Sequence, residues 1–293
     1  MDKYLFSYAS PADPPVKRGL IRLVEVATGQ SKLKRMYLEN QRHPREGESF
    51  FAAAVRKLEL DVQFDPAALA KIPETGPVVI VANHPFGVLD GIVISWLIEK
   101  VRRDFVVLTN AVLMRAPEVQ DYILPIDFSE SRDALETNVK TRAAARALLE
   151  GGGVVVVFGA GGVSTAPDRW GRRPAIDARW QPFVSALIQK SRATVVPIWF
   201  GGQNSRLFQI ASHVSAALRI SLIFREVKAR IGSILRVVVG DPIPFADLAH
   251  LRDRQGLADH LRGLTYALAR PEPEKPRRLA PLRNALKLRR RAA

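Results

Sequence analysis

PVVIVANHPFGVLDG, residues 77–91, changes character twice within one short stretch. Val78 to Ala82 is an unbroken, mostly β-branched apolar run, which reads as a strand buried on both faces because a half-exposed strand would alternate. Pro85 and Gly87 then interrupt the pattern and hold the chain in a tight path. From about Leu89 to Lys100 the sequence suits a helix. The carboxyl end of a buried strand that feeds a helix is the preferred place for a site in an α/β sheet. His84 and Asp90 fall there. An imidazole can take a proton from a hydroxyl near neutral pH, and a carboxylate one turn away can fix its tautomer and stabilise the imidazolium. A helix cap or a polar core pair looks the same by spacing alone, and only the strand-end position favours a dyad.

Working outward, further apolar runs predict strands at DFVVLTN (104–110), VVVVF (154–158), ATVVPIWF (193–200) and ILRVVVG (234–240). Helical stretches lie between and after them, at Glu130 to Glu150, Pro182 to Lys190 and about Arg252 to Ala269. This alternation predicts an α/β fold, a three-layer sandwich around a mixed, largely parallel sheet. The catalytic domain is expected over residues 49–270, after a helical segment at 1–48 in which Gly29 interrupts an imperfect apolar period. That segment reads either as two ordinary surface helices or as an interfacial pair in contact with lipid.

The chain has 293 residues, 47% of them hydrophobic, enough for one large domain with a real core. Its net charge of +15 calls for an acidic partner, and nucleic acid, anionic lipid and an acidic carrier protein all qualify. From Lys275 onward there are eight basic residues and no acidic one, after the stiff linker PEPEKP. On a helix Leu279, Leu282 and Leu286 would share one face, so residues 271–293 read either as a basic amphipathic anchor or as a disordered solubilising tail. No aromatics are interleaved there to stack bases, which argues against a nucleic-acid arm. The absence of cysteine excludes disulfides, thiolate metal sites and cysteine nucleophiles, and a cytoplasmic setting is expected. Pro11, Pro14, Pro15, Lys17 and Arg18 break up any signal-peptide core. The longest apolar stretches fall well short of the ~20 residues of a spanning helix, so membrane contact is expected to be peripheral, on the cytoplasmic face of the inner membrane.

Asn83-His84-Pro85-Phe86-Gly87-Val88-Leu89-Asp90-Gly91 resembles the first signature block of the glycerolipid acyltransferases, in their hemolysin-like lysophospholipid acyltransferase branch, where it reads N-H-P-x-G-x-x-D/E-G. The commoner form places four residues between the histidine and the carboxylate; this chain has five, as in that branch. Leu124-Pro125-Ile126-Asp127 resembles the second block, Phe158-Gly159-Ala160-Gly161-Gly162-Val163-Ser164 the third, and Val195-Val196-Pro197-Ile198 the fourth. Gly202 to Phe208 and Gly240-Asp241-Pro242-Ile243 are also similar to this branch, so the resemblance spans about residues 50–245.

The resemblance implies transfer of a fatty acyl group from acyl-coenzyme A or acyl carrier protein to the hydroxyl of a lyso-lipid, 1-acylglycerol-3-phosphate or lyso-ornithine lipid. His84 would be the general base and Asp90 its partner, with Asn83, Gly87, Gly159, Gly161, Gly162, Ser164 and Arg206 contacting substrate. No metal or cofactor is implied beyond the thioester donor. The third block departs from the pattern: relatives in this branch read F-P-A-G-E-V-S, whereas Gly159 replaces the proline and Gly162 the glutamate. No carboxylate remains in that loop, which keeps open an alternative, a non-catalytic lipid-binding protein that retains the fold.

The same glycines superficially suggest a dinucleotide turn. That turn must open directly into a helix, and here Pro167, Gly171 and Pro174 follow. Their backbone N–H groups would instead serve a phosphate or an oxyanion. Arg169, Arg172, Arg173 and Arg179 read as a solvated face, while Arg206 lies inside a matching block. His43, His213, His250 and His260 lack zinc spacing, no G-x-S-x-G elbow exists for Ser164 or Ser205, and Trp170, Trp180 and Trp199 read as core.

Overall fold

The computed structural model describes residues 14–110, 117–126 and 132–269. Seven strands form one sheet: β1 (Asp61–Gln63), β2 (Val78–Ala82), β3 (Phe105–Asn110), β4 (Ile123–Ile126), β5 (Val154–Phe158), β6 (Thr194–Gly201) and β7 (Ile234–Val239). Their order across the sheet is β1-β7-β6-β2-β5-β3-β4, with β6 and β7 antiparallel and every other pair parallel. The strand carrying the decisive motif is therefore central. Ala82, its last residue, is in register with Phe158 on one side and Ile198 on the other.

Side chains of a strand alternate between faces, and the core divides accordingly. Val78, Ile80 and Ala82 join one apolar cluster with Val154, Val156, Phe158, Val196 and Ile198. Val79 and Val81 join the other with Val155, Val157 and Val195. Every residue of β2 and β5 is buried, as the uninterrupted valine runs predict.

Helices cover both faces. On the first lie α1 (Pro15–Thr28), α2 (Gln30–Arg42), α3 (Phe50–Lys57), the short α4 (Pro66–Leu69) and α5 (Val88–Ile98). On the second lie α6 (Arg132–Glu150) and α7 (Pro182–Ser191). Three helices then follow β6 back on the first face: α8 (Arg206–Val214), α9 (Ala216–Ser221) and α10 (Ile223–Ala229). The last two described helices, α11 (Phe245–Leu248) and α12 (Arg254–Ala267), lie on the second face. Gly29, with φ 118°, separates α1 from α2 in a conformation that side chains other than glycine rarely adopt. Ser49 and Asp253 cap α3 and α12 by accepting from Ala52 N (3.0 Å) and Gly256 N (2.5 Å). The wide apolar surface of α5 is explained by burial on nearly all sides, between the sheet, α3 and α10.

The expected three-layer sandwich is thus present. Edge strands β1 and β4, which are short and only partly buried, and helices α8 to α10 were not foreseen from the sequence. Glu130, expected to begin the long helix, lies outside the described residues, as do the first thirteen residues of the N-terminal segment and all of 271–293. No helix among the described residues is long and apolar enough to cross a membrane.

Ile80 sits mid-strand with no exposed surface. Its replacement by alanine is expected to cost about 2–5 kcal/mol through lost transfer energy and the cavity left behind, whereas Leu135→Ala on the exposed side of α6 changes stability by under about 0.5 kcal/mol. Urea unfolding of both variants checks the contrast.

Candidate active site

The three loops that leave the carboxyl ends of β2, β5 and β6 meet because those strands are adjacent and parallel. Asn83 joins the first to the third. Its amide donates to Phe200 O (2.9 Å) and accepts from Phe200 N (2.7 Å), replacing the ladder where β2 stops. His84 follows. Its ring stacks on Phe158 at 4.0 Å between centroids, and Nδ1 lies 2.9 Å from Asp90 Oδ2.

Asp90 is wholly buried in the first turn of α5. The same Oδ2 accepts the N–H groups of Phe86 (2.8 Å) and Gly87 (2.9 Å), so the carboxylate caps its own helix and reaches the imidazole at once. Three donors crowd one oxygen. The Nδ1 contact is close without ideal hydrogen-bond alignment, and Oδ1 has no partner among the described residues. Burial raises the Asp90 carboxyl above the usual carboxylate range, while His84 and the two N–H groups oppose that rise. The Arg230 guanidinium, stacked over Phe86 at 4.4 Å and donating to Gln203 O (2.6 Å), adds positive charge nearby.

Gly87 shapes the other side of the turn. Its φ of 78° favours glycine, and a Cβ there would approach Val163 Cγ2 and Ile223 Cδ1 to 3.2 and 3.3 Å. Behind the loop, the buried Asp177 ties segments together. Its Oδ1 accepts from Ser164 Oγ (2.5 Å) and His84 N (3.2 Å), and its Oδ2 accepts from Trp180 Nε1 (2.9 Å). Ser164 N in turn donates to His84 O (2.8 Å).

His84 opens onto a cavity of about 270 Å³. Its wall is mainly apolar, with Leu108, Ile126, Val157, Ile220 and Ile223 among the lining residues. Gly87, Gly161 and Gly162 are on that wall too. Asn83, Gly159, Ser164 and Arg206, expected from the sequence to contact substrate, are not. Asn83 is committed to Phe200. Ser164 is buried against Asp177. Arg206 donates to Trp170 O (2.9 Å) on an exposed stretch. Gly159 is packed beneath Trp180, whose ring would stand 2.1 Å from a Cβ at that position. This contact gives a physical reason for glycine at 159: the indole fills the space a side chain would need. At Gly162 a Cβ would meet nothing within 4 Å, so no steric reason for glycine exists there.

Arg219 on the cavity wall and Asp177 behind it were missed. Arg219 lies on a helix that was not foreseen, and Asp177 is separated from its partners by an irregular stretch; only its place three residues before Trp180 marks it. After β5 no helix begins before α7, which removes the geometry a dinucleotide would need. Of the other tryptophans, Trp180 is core, whereas Trp170 is about half exposed. Asp127 of the second block lies outside the described residues.

Gly159→Ala is expected to lower stability by about 1–3 kcal/mol through overpacking against Trp180. Gly162→Glu should stay within about 0.5 kcal/mol of the parent chain. Guanidinium denaturation of the two variants distinguishes a glycine required by packing from one that is not.

A family model described as acyltransferase matches residues 33–270. A lyso-glycine lipid O-acyltransferase from Phocaeicola vulgatus is 26% identical over 223 residues, covering 71% of this chain and 74% of that protein. Another of the same name from Bacteroides thetaiotaomicron is 24% identical over 217 residues, covering 71% and 76%. Among solved structures, the 1-acyl-sn-glycerophosphate acyltransferase of Thermotoga maritima aligns over 87% of this chain and 90% of its own, at 15% identity and a TM-score of 0.48.

Proposed function

The chain belongs to the acyltransferase family, and on that premise we propose that its cavity moves a fatty acyl group from a thioester to the hydroxyl of a lyso-lipid, with His84 as general base. The observation that carries this reading is the pairing of His84 Nδ1 with buried Asp90 at 2.9 Å on the rim of an apolar cavity. With Nδ1 turned to the carboxylate, Nε2 is the ring nitrogen left to meet an acceptor hydroxyl.

In the proposed step, Nε2 removes the hydroxyl proton as the alcohol oxygen attacks the thioester carbonyl carbon. The C–O bond forms and the carbonyl becomes an oxyanion. The carbonyl then re-forms, the C–S bond breaks, and the imidazolium returns its proton to the departing thiolate. Asp90 holds the ring and stabilises its cationic form. Gly161 N already donates to Phe158 O (2.9 Å), which leaves the N–H groups of Gly162 and Val163 for the oxyanion; neither has a hydrogen-bond partner among the described residues. Every electron pair is accounted for without a metal or a covalent acyl-enzyme.

The donor is acyl-coenzyme A or an acyl carrier protein. For the acceptor, the names of the two relatives add a lyso-glycine lipid to the 1-acylglycerol-3-phosphate and lyso-ornithine lipid implied by the sequence resemblance. Such a substrate resides in a membrane, so the enzyme works at an anionic surface on the cytoplasmic side of the inner membrane. Val16 and Leu23 of α1 are exposed, and α1 packs on α9, whose exposed Ile220 belongs to the cavity wall. That geometry supports an interfacial role for the N-terminal helices, while the basic residues from Lys275 onward supply charge attraction.

Incubation with labelled acyl thioester and the three lyso-lipids tests the reaction. His84→Ala should lower turnover by about 10²–10⁴-fold on whichever acceptor is used; equal transfer by parent and variant would remove the dyad. In liposome flotation, a chain ending at Glu274 should float less with anionic vesicles than the full chain, and unchanged flotation would assign the contact to α1 instead.

A further inference from the structure

Among its described residues the cavity wall carries two ionisable side chains, His84 and Arg219, and the remaining polar side chain is Thr109. His84 is engaged by Asp90. Arg219 has no part in moving a proton from an alcohol, because a guanidinium stays protonated.

Its position is nevertheless fixed. Arg219 projects from α9, donates from its terminal nitrogen to Val163 O, and holds its Cζ 5.7 Å above the ring of Phe208. A guanidinium has five N–H donors, and one carbonyl accepts only part of that capacity. No carboxylate among the described residues pairs with Arg219. Partial burial draws its pKa below the ordinary arginine range. A cation held in a largely apolar wall is relieved most by an anion that enters the cavity. There is room for one: Gly162, next to the Val163 carbonyl that Arg219 grips, lacks a side chain and borders open space.

Resting on the acyl-transfer reading, we propose that Arg219 binds the anionic headgroup of the acceptor, a carboxylate or a phosphate, and makes the enzyme select acidic lyso-lipids over neutral ones. The acceptor is the better source of this anion than the donor. Its headgroup is a few bonds from the hydroxyl that must reach His84, and both residues line the same cavity. The phosphates of coenzyme A or of a carrier's prosthetic arm lie a full pantetheine away from the thioester carbon. The guanidinium fork also suits a planar carboxylate or a phosphate face, so charge and geometry act together.

The test compares acceptors with and without the anionic group: lyso-glycine lipid against its methyl ester, which masks the carboxylate at nearly constant size, and 1-acylglycerol-3-phosphate against 1-acylglycerol, which lacks the phosphate. The parent enzyme should prefer the acid of at least one pair by kcat/KM. Arg219→Gln should reduce that preference by about tenfold to a hundredfold, as expected when a hydrogen bond to a charged group is lost, with the change in the acceptor KM and not in the thioester KM. Arg219→Lys, which keeps the charge and loses the fork, should retain part of the preference and also guards against a Gln variant that does not fold. Absence of any acid preference in the parent overturns the proposal without a variant. Proportional loss on acid and neutral acceptors, or a raised thioester KM, overturns it in favour of an oxyanion or donor role. Equilibrium binding of the acid and ester pair to parent and Arg219→Gln separates the two readings. If no acceptor is acylated yet the acid binds more tightly in an Arg219-dependent way, acyl transfer fails and the anion site stands; if acceptors are acylated without charge preference, this inference fails alone.

Discussion

A parallel strand buried on both faces leaves its polar backbone one place to meet chemistry, the end where the ladder stops. In this protein β2 lies between β5 and β6, all three running the same way, so their loops leave one edge of the sheet together. Once that arrangement is fixed, the rest of the site follows from satisfying the groups released there. Asn83 extends the ladder by one side chain onto Phe200. Asp90 accepts the N–H groups of Phe86 and Gly87 that the start of α5 leaves without helical partners, and the same oxygen faces His84. Helix capping and orientation of the imidazole are thus one interaction. Removing the carboxylate would disturb both.

The second feature that organises the site is a chain of contacts behind it. Trp180 fills the space above Gly159 and donates to Asp177, and Asp177 holds Ser164 and the backbone of His84. The loop after β5 is long and without helix; a Thr165–Ile176 backbone bridge and the Asp168 turn close it on itself, and these side chains tie it to the strand ends. That is why several residues that look like substrate contacts from their place in a motif prove to hold the scaffold: their polar atoms are already engaged, and burial makes those partners costly to leave unpaired.

The cavity itself combines apolar walls with two charged groups of separate origin. His84 comes from the best-ordered part of the sequence pattern, the strand-end loop. Arg219 comes from α9, a helix of six residues that is too short for its period to announce it. With no side chain at Gly162 and a guanidinium beside Val163, the described wall has a positive balance.

How much could be read in advance differs by element. Val78 to Ala82 and Val154 to Phe158 were legible because a strand buried on both faces needs continuous apolar residues, and few other structures do. Gly29 marked the break between α1 and α2 because its conformation excludes most side chains. The proximity of His84 to Asp90 was legible because both belong to one turn. By itself, then, the sequence determined the layered α/β sheet and the meeting of His84 with Asp90 at the end of a central strand, all products of local pattern and short separation. Only the tertiary structure decided that Ser164, Asn83, Gly159 and Arg206 face away from the cavity, that Asp177 grips the loop of His84, and that Arg219 enters the wall. The partners in those contacts are distant in the chain or set by packing of irregular segments, and the side of a loop that faces a cavity is fixed by what packs against its other side.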